Sequence, residues 1–240
     1  MPFHQRPAIV AAAFGGLILL GAIALGIVYF VIFPSSVPAR LGLADTKSPS
    51  ASATAASSAS TGTWTVASGS QAGYRVRETL AFVGAPSDAV GRTSSVHGTV
   101  TIAGSGSNLS VSAASLTVDV NTLTSDRAMR DQRIHSTGLQ SDRYPTATFV
   151  LNNPFALPAD ASNGQAVTVS AVGQLTIHGV TQTVTIPIQA RLNGSRIQLV
   201  GSITFPFSEF GMTPPSIGGF VSVQDNATME FAINLAQQAA

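Results

Sequence analysis

Residues 184–207 read VTIPIQARLNGSRIQLVGSITFPF, and the apolar side chains in that stretch fall on every second position. Val184, Ile186, Ile188 and Leu192 share one face, and Ile197, Leu199, Ile203, Phe205 and Phe207 share another. Successive side chains of a strand point to opposite sides, so this two-residue period predicts two half-buried β-strands. Asn193-Gly194 between them is turn chemistry, because both residues tolerate the backbone angles a tight reversal needs. The same period recurs upstream in Tyr74, Val76, Leu80 and Phe82 and downstream in Met229, Phe231, Ile233 and Leu235. Weaker runs fit Trp64–Val66, Gly98–Ile102, Leu109–Val120, Ala147–Leu151 and Val167–Ile177, with further turn signals at Gly104–Asn108 and Asn163-Gly164. About eight or nine strands result, within the range of a closed barrel or a sandwich, and the expected class is antiparallel all-β.

One segment breaks the pattern. Residues 125–140, SDRAMRDQRIHSTGLQ, are densely charged and lack alternation, with Met129 and Ile134 as their few apolar contacts. They are expected to form one or two short helices capping an end of the β-structure, which Pro145 terminates before the strand at Ala147.

The chain has 240 residues, of which 45% are hydrophobic and 10% charged, with a formal net charge of +1. That balance leaves no basic footprint for nucleic acid. With no cysteine, disulfides, thiolate metal sites and a cysteine nucleophile are excluded. From Ala8 to Phe33 runs an uncharged apolar stretch of roughly 26 residues, longer than the ~20 a bilayer-spanning helix needs and than a signal-peptide core. It is read as an uncleaved transmembrane anchor, with residues 1–7 as a short N-terminal flank. Residues 48–62, SPSASATAASSASTG, carry no large apolar side chain and cannot bury enough surface to order themselves. Residues 34–62 are therefore read as a disordered linker with an average reach on the order of 30 Å, and residues 63–238 as the β-domain. Arg6 competes with Arg40 and Lys47 for the cytoplasmic side. The expectation is a single-pass cell-membrane protein, N-terminus cytoplasmic and β-domain extracytoplasmic.

Several motifs, in order, carry a resemblance. Thr63-Trp64-Thr65-Val66 and Tyr74-Arg75-Val76-Arg77 are followed by Gly98-Thr99-Val100 and Leu116-Thr117-Val118-Asp119. Arg130-Asp131, Arg143-Tyr144-Pro145-Thr146-Ala147-Thr148-Phe149, the run from Gly173 to Thr181 and Glu209-Phe210-Gly211 complete the set. Together they resemble the YceI-like family, whose members are polyisoprenoid-binding, lipocalin-like barrels of bacterial envelopes. The resemblance implies a closed antiparallel barrel of about eight strands with a short helical cap. Two histidines frequent in that family are missing, their places taken by Gly69-Ser70 and Arg133.

An apolar lumen would hold a hydrocarbon chain by burial, at about 25 cal/mol per Å². The candidate ligand-binding residues are Tyr74, Val76, Leu80, Phe82, Phe149, Leu175, Ile177, Ile186, Ile188, Ile203, Phe205, Met229 and Phe231. Alternation alone leaves open whether these residues line a cavity or fill a solid core. Glu78 is added as a polar handle for a head group, against the alternative of a salt-bridged or mouth-facing carboxylate. Asp126, Arg127, Arg130, Asp131 and Arg133 either draw an anionic head group or pair among themselves. His178-Gly179 fits a tight turn, and no spacing of His, Asp or Glu matches a metal site or a hydrolytic triad. The expected function is a membrane-tethered binder or carrier of an isoprenoid, quinone or similar amphipathic lipid, without cofactor or catalytic residues. A scaffold domain with a filled barrel is the alternative, and a homodimer is a further candidate arrangement.

Overall fold

The computed structural model describes residues 37–43, 61–80, 86–217 and 221–237. The anchor read at residues 8–33 and the candidate Phe82 lie outside them. Among the described residues the strands are β1 (Gly62–Val66), β2 (Gln71–Leu80), β3 (Pro86–Thr93), β4 (Val96–Ser105), β5 (Asn108–Asp119), β6 (Thr146–Leu151) and β7 (Phe155–Ala156). They continue with β8 (Val167–Ile177), β9 (Val180–Asn193), β10 (Arg196–Phe205), β11 (Ser216–Ile217) and β12 (Val221–Gln237). One short α-helix, α1 (Ala128–Arg133), runs into a wider helical turn at Ile134–Gly138.

Neighbouring strands pair antiparallel in the order β1-β4-β5-β6-β8-β9-β10-β12, and β12 returns to β1 through Val66 opposite Leu235. Eight strands thus close on themselves, which removes the unpaired edges an open sheet would leave. Closure depends on the length of β12, whose 17 residues pair with β10 along one edge and with both β1 and β2 along the other. Between β1 and β2 the chain breaks at Ala67–Ser70, yet stays pinned to β12: the Ala67 N–H donates to the Asn234 carbonyl (2.8 Å) and the Asn234 N–H to the Ser70 hydroxyl (3.0 Å). The β2–β3 hairpin continues the wall beyond β1 and β4.

The alternation that predicted the strands also predicts their buried faces. Phe231, Ile233 and Leu235 of β12 belong to one core with Phe149, Leu175, Ile177, Ile186, Ile197 and Phe205. The turn joining β8 to β9 has positive φ at both His178 (53°) and Gly179 (74°), the pairing a two-residue hairpin of this twist requires. β3 was not expected. It opens on Pro86, carries Asp88 and Gly91, and buries Ala89, Val90 and Gly91 in succession, so no two-residue period survives in it.

Between the inward Met229 and Phe231, Glu230 turns outward yet is only 3% exposed. It accepts from Arg92 at 2.9 Å and lies 3.5 Å from Arg75, itself 6% exposed. Arg75 also reaches Asp88 at 3.1 Å. The same two arginines hold a segment from the span read as linker: Arg75 donates to the Pro38 carbonyl at 2.8 Å, and Arg92 donates to that of Ala39. Buried carboxylates are tolerated only when so completely partnered.

The cap contains α1, as the non-alternating stretch predicted, but its apolar contacts differ from expectation. Met129 is 84% exposed, and the inward role falls to Ile134 and Leu139. His135 ties the cap down. Its Nε2 donates to the Leu123 carbonyl (3.0 Å), which can only accept, leaving Nδ1 to take the hydroxyl of the buried Ser141 (2.9 Å).

Candidate lipid-binding site

The barrel interior is not solid. A body chamber of about 140 Å³ lies among β4, β5, β6, β8, β9, β10 and β12, and a cap chamber of about 120 Å³ lies beneath Leu123, Ile134 and Leu139. Ala72, Val118, Ala147 and Met229 line both, so the chambers adjoin across a waist built from two alanines, a valine and an unbranched methionine. Thr148 and Arg191 are the polar side chains on the body chamber, and Tyr74 and Thr228 those on the cap chamber. Walls so apolar offer a polar ligand few partners and exclude water efficiently.

Phe149, Leu175, Ile186, Ile188 and Phe231 line the body chamber, Tyr74, Val76, Ile177 and Phe205 the cap chamber, and Met229 both. Ile203 packs against the core without lining either chamber. Leu80 ends β2. Glu78 lines neither chamber, and its carboxylate receives Arg130 of α1 at 2.6 Å in a salt bridge. Arg130 pairs also with Asp126, and Arg127 lies 3.8 Å from that same carboxylate. Burial disfavours the Arg130 charge, but Glu78 and then Asp126 outweigh it and raise its pKa. The charged run 126–133 therefore neutralises much of its own charge across the cap.

The model of the YceI-like domain matches residues 64–235, from within β1 to within β12. The chain belongs to the YceI-like family. A UPF0312 protein of Vibrio cholerae is 27% identical to this YceI-like chain over 124 residues, 49% of the chain and 62% of the relative. The chain thus spans less than two thirds of that relative's length. Among solved structures, a polyisoprenoid binding domain from Saccharophagus degradans, implicated in plant cell wall breakdown, superposes with a TM-score of 0.53 at 13% identity, covering 74% of this chain and 99% of its own. BcnA of Burkholderia cenocepacia gives a TM-score of 0.48 at 19% identity over 67% of this chain and 95% of its own. At such identities the S. degradans likeness speaks for the fold.

Much of the YceI-like lumen was absent from the candidate residues. Val96, Val100, Ile102, Leu109, Val111 and Leu116 line the body chamber from β4 and β5; the even spacing within β4 and from Leu109 to Val111 was a usable signal, whereas a register shift opposite Thr101 and Ile102 puts Leu116 out of that period. No periodic signal marks the waist alanines, Ala72 and Ala147, because a small side chain shapes a cavity by what it leaves unfilled. Ile134, Leu139 and Met212 reach the cap chamber from irregular segments, where period carries no information.

Proposed function

We propose that this YceI-like protein binds or carries an isoprenoid, quinone or similar amphipathic lipid inside its barrel. The observation that carries the reading is the pair of adjoining apolar chambers within the barrel. A dry apolar cavity of about 150 Å³ accommodates benzene, so each chamber corresponds to a ring-sized group and the two in series to roughly two isoprene units. Burial of an apolar chain there supplies affinity without any reacting group, and the reading needs no enzyme activity. The S. degradans domain of the same fold is described as polyisoprenoid binding, which supports the ligand class.

The apolar run at residues 8–33 is read as a single-pass anchor that keeps the barrel beside the membrane storing its ligand, with the C-terminal domain extracytoplasmic. Proximity of that kind raises encounter frequency without adding affinity. Organic extraction of the full-length protein from its native host, followed by mass spectrometry, tests the binding reading. A single-chain lipid at near-stoichiometric yield is expected. Protein that returns no lipid and takes up no apolar probe overturns it in favour of a scaffold. Protease treatment of intact cells tests the location: digestion of the barrel domain is expected, whereas protection until lysis reverses the orientation.

A further inference from the structure

Tyr74 and Thr228 are the polar residues on the cap-chamber wall; the Thr228 hydroxyl pairs with that of Thr204 at 2.8 Å, whereas the Tyr74 hydroxyl is buried without a hydrogen-bond partner among the described residues. Its ring lies against the backbone of Gly91, where any side chain would collide with it. Ser125 stands close enough to temper the phenol's pKa, but it makes no hydrogen bond of acceptable geometry with it and is already committed elsewhere. Its hydroxyl donates to Asp131 at 2.6 Å, and its oxygen receives the Arg127 N–H at 3.2 Å and Arg130 at 3.4 Å. Buried polar groups in native proteins nearly always find partners, so an orphan phenol on a cavity wall points to one that arrives from outside the chain.

The surroundings also state what kind of partner. Burial holds the phenol in its protonated, donating form, because an ionised phenolate there would be poorly solvated. Arg130, the cation whose charge acts on this phenol, is spent on two carboxylates, Glu78 and Asp126. We infer that Tyr74 is the head-group donor of this site, that it recognises a neutral oxygen acceptor such as a carbonyl or hydroxyl, and that the ligand's apolar chain runs from it through the waist into the body chamber. The inference rests on the lipid-binding reading and narrows it to neutral amphiphiles, excluding prenyl phosphates as preferred ligands.

Three ten-carbon probes separate these statements: geraniol with a neutral hydroxyl, geranyl diphosphate with an anionic head, and myrcene with none. Equilibrium binding is measured on the full-length protein in lipid nanodiscs, against empty nanodiscs, for the wild type and Tyr74→Phe. The substitution is expected to weaken geraniol by roughly tenfold, the effect of one lost hydrogen bond, and to leave myrcene unchanged. Unchanged myrcene binding also shows that the variant retains its barrel. Geranyl diphosphate is expected to bind more weakly than geraniol to the wild type. Equal geraniol affinity in both proteins, or tighter binding of the diphosphate, overturns the inference while leaving lipid binding intact. Failure of all three probes to bind overturns the lipid-binding reading and this inference with it.

Discussion

At Tyr74 one residue combines a packing role with an electrostatic one, and the two are separable by pH. Burial raises its pKa well above the ordinary phenol value of 10.0, with Asp131 and Glu78 adding to the shift and Arg130 and Ser125 opposing it. A group whose folded pKa is raised contributes stability that is fully present below its unfolded value and declines as pH climbs past it. Stability should therefore fall between pH 10 and the raised folded value, and Tyr74→Phe should flatten that decline. Denaturant midpoints taken from pH 8 to 11.5 measure it, and parallel slopes in the two proteins would contradict the assignment. Tyr74 was legible as an inward residue because it keeps the period of its strand. Its missing partner was not, since that depends on how Asp131, Arg127 and Arg130 share Ser125 across the cap.

Among elements, the long strands were readable and β3 was not. β9, β10 and β12 each bury one face, and a half-buried strand writes its orientation into alternate residues. β3 buries three successive residues, and its Gly91 is required by the Tyr74 ring beside it, so its sequence answers to neighbours rather than to a period. The cap was visible as a loss of alternation, but its attachment was not. That attachment includes, beside the His135 contacts, the Arg130–Glu78 pair, with the side chains 14% and 15% exposed. Glu78→Gln keeps the shape and removes the charge, leaving Arg130 with Asp126 alone; a cost of about 1–2 kcal/mol is expected, borne locally. Amide exchange in residues 128–138 should quicken several-fold while β8 and β9 stay protected. Uniform acceleration across the barrel would mean that the pair supports the whole fold instead of the cap.

Beside the closed wall, the clamp on residues 38 and 39 belongs to the molecule as a whole. Arg75 and Arg92 bind two backbone carbonyls there while neutralising Glu230, so a stretch with no apolar period is held by the strands it crosses. Composition alone describes such a stretch as spacer, because backbone acceptors are present in every sequence. Arg40, directly after the clamped pair, is exposed and makes a natural tryptic site. Arg92→Ala should speed cleavage there several-fold with little change in the barrel's own digestion, since release of the segment needs only local opening. Equal cleavage rates at Arg40 would show that the carbonyl contacts do not restrain the segment.

The adjoining chambers make a quantitative demand on the barrel as one cooperative unit. A ligand that binds only the folded state adds RT ln(1 + [L]/Kd), about 2.7 kcal/mol at a hundredfold excess over Kd. For a domain of roughly 170 residues, each kcal/mol is worth about 2–4 °C, so a saturating neutral ten-carbon probe should raise Tm by about 5–10 °C. The waist supplies the control. Ala147→Phe places a ring where the two chambers meet, at some cost in packing, and divides the space the chain must thread. Whatever its starting Tm, this variant should lose most of the ligand-induced increase, because a probe confined to one chamber buries only part of its length. An equal increase in both proteins would mean that the probe binds elsewhere on the barrel, and the two chambers would then be packing defects rather than a binding path.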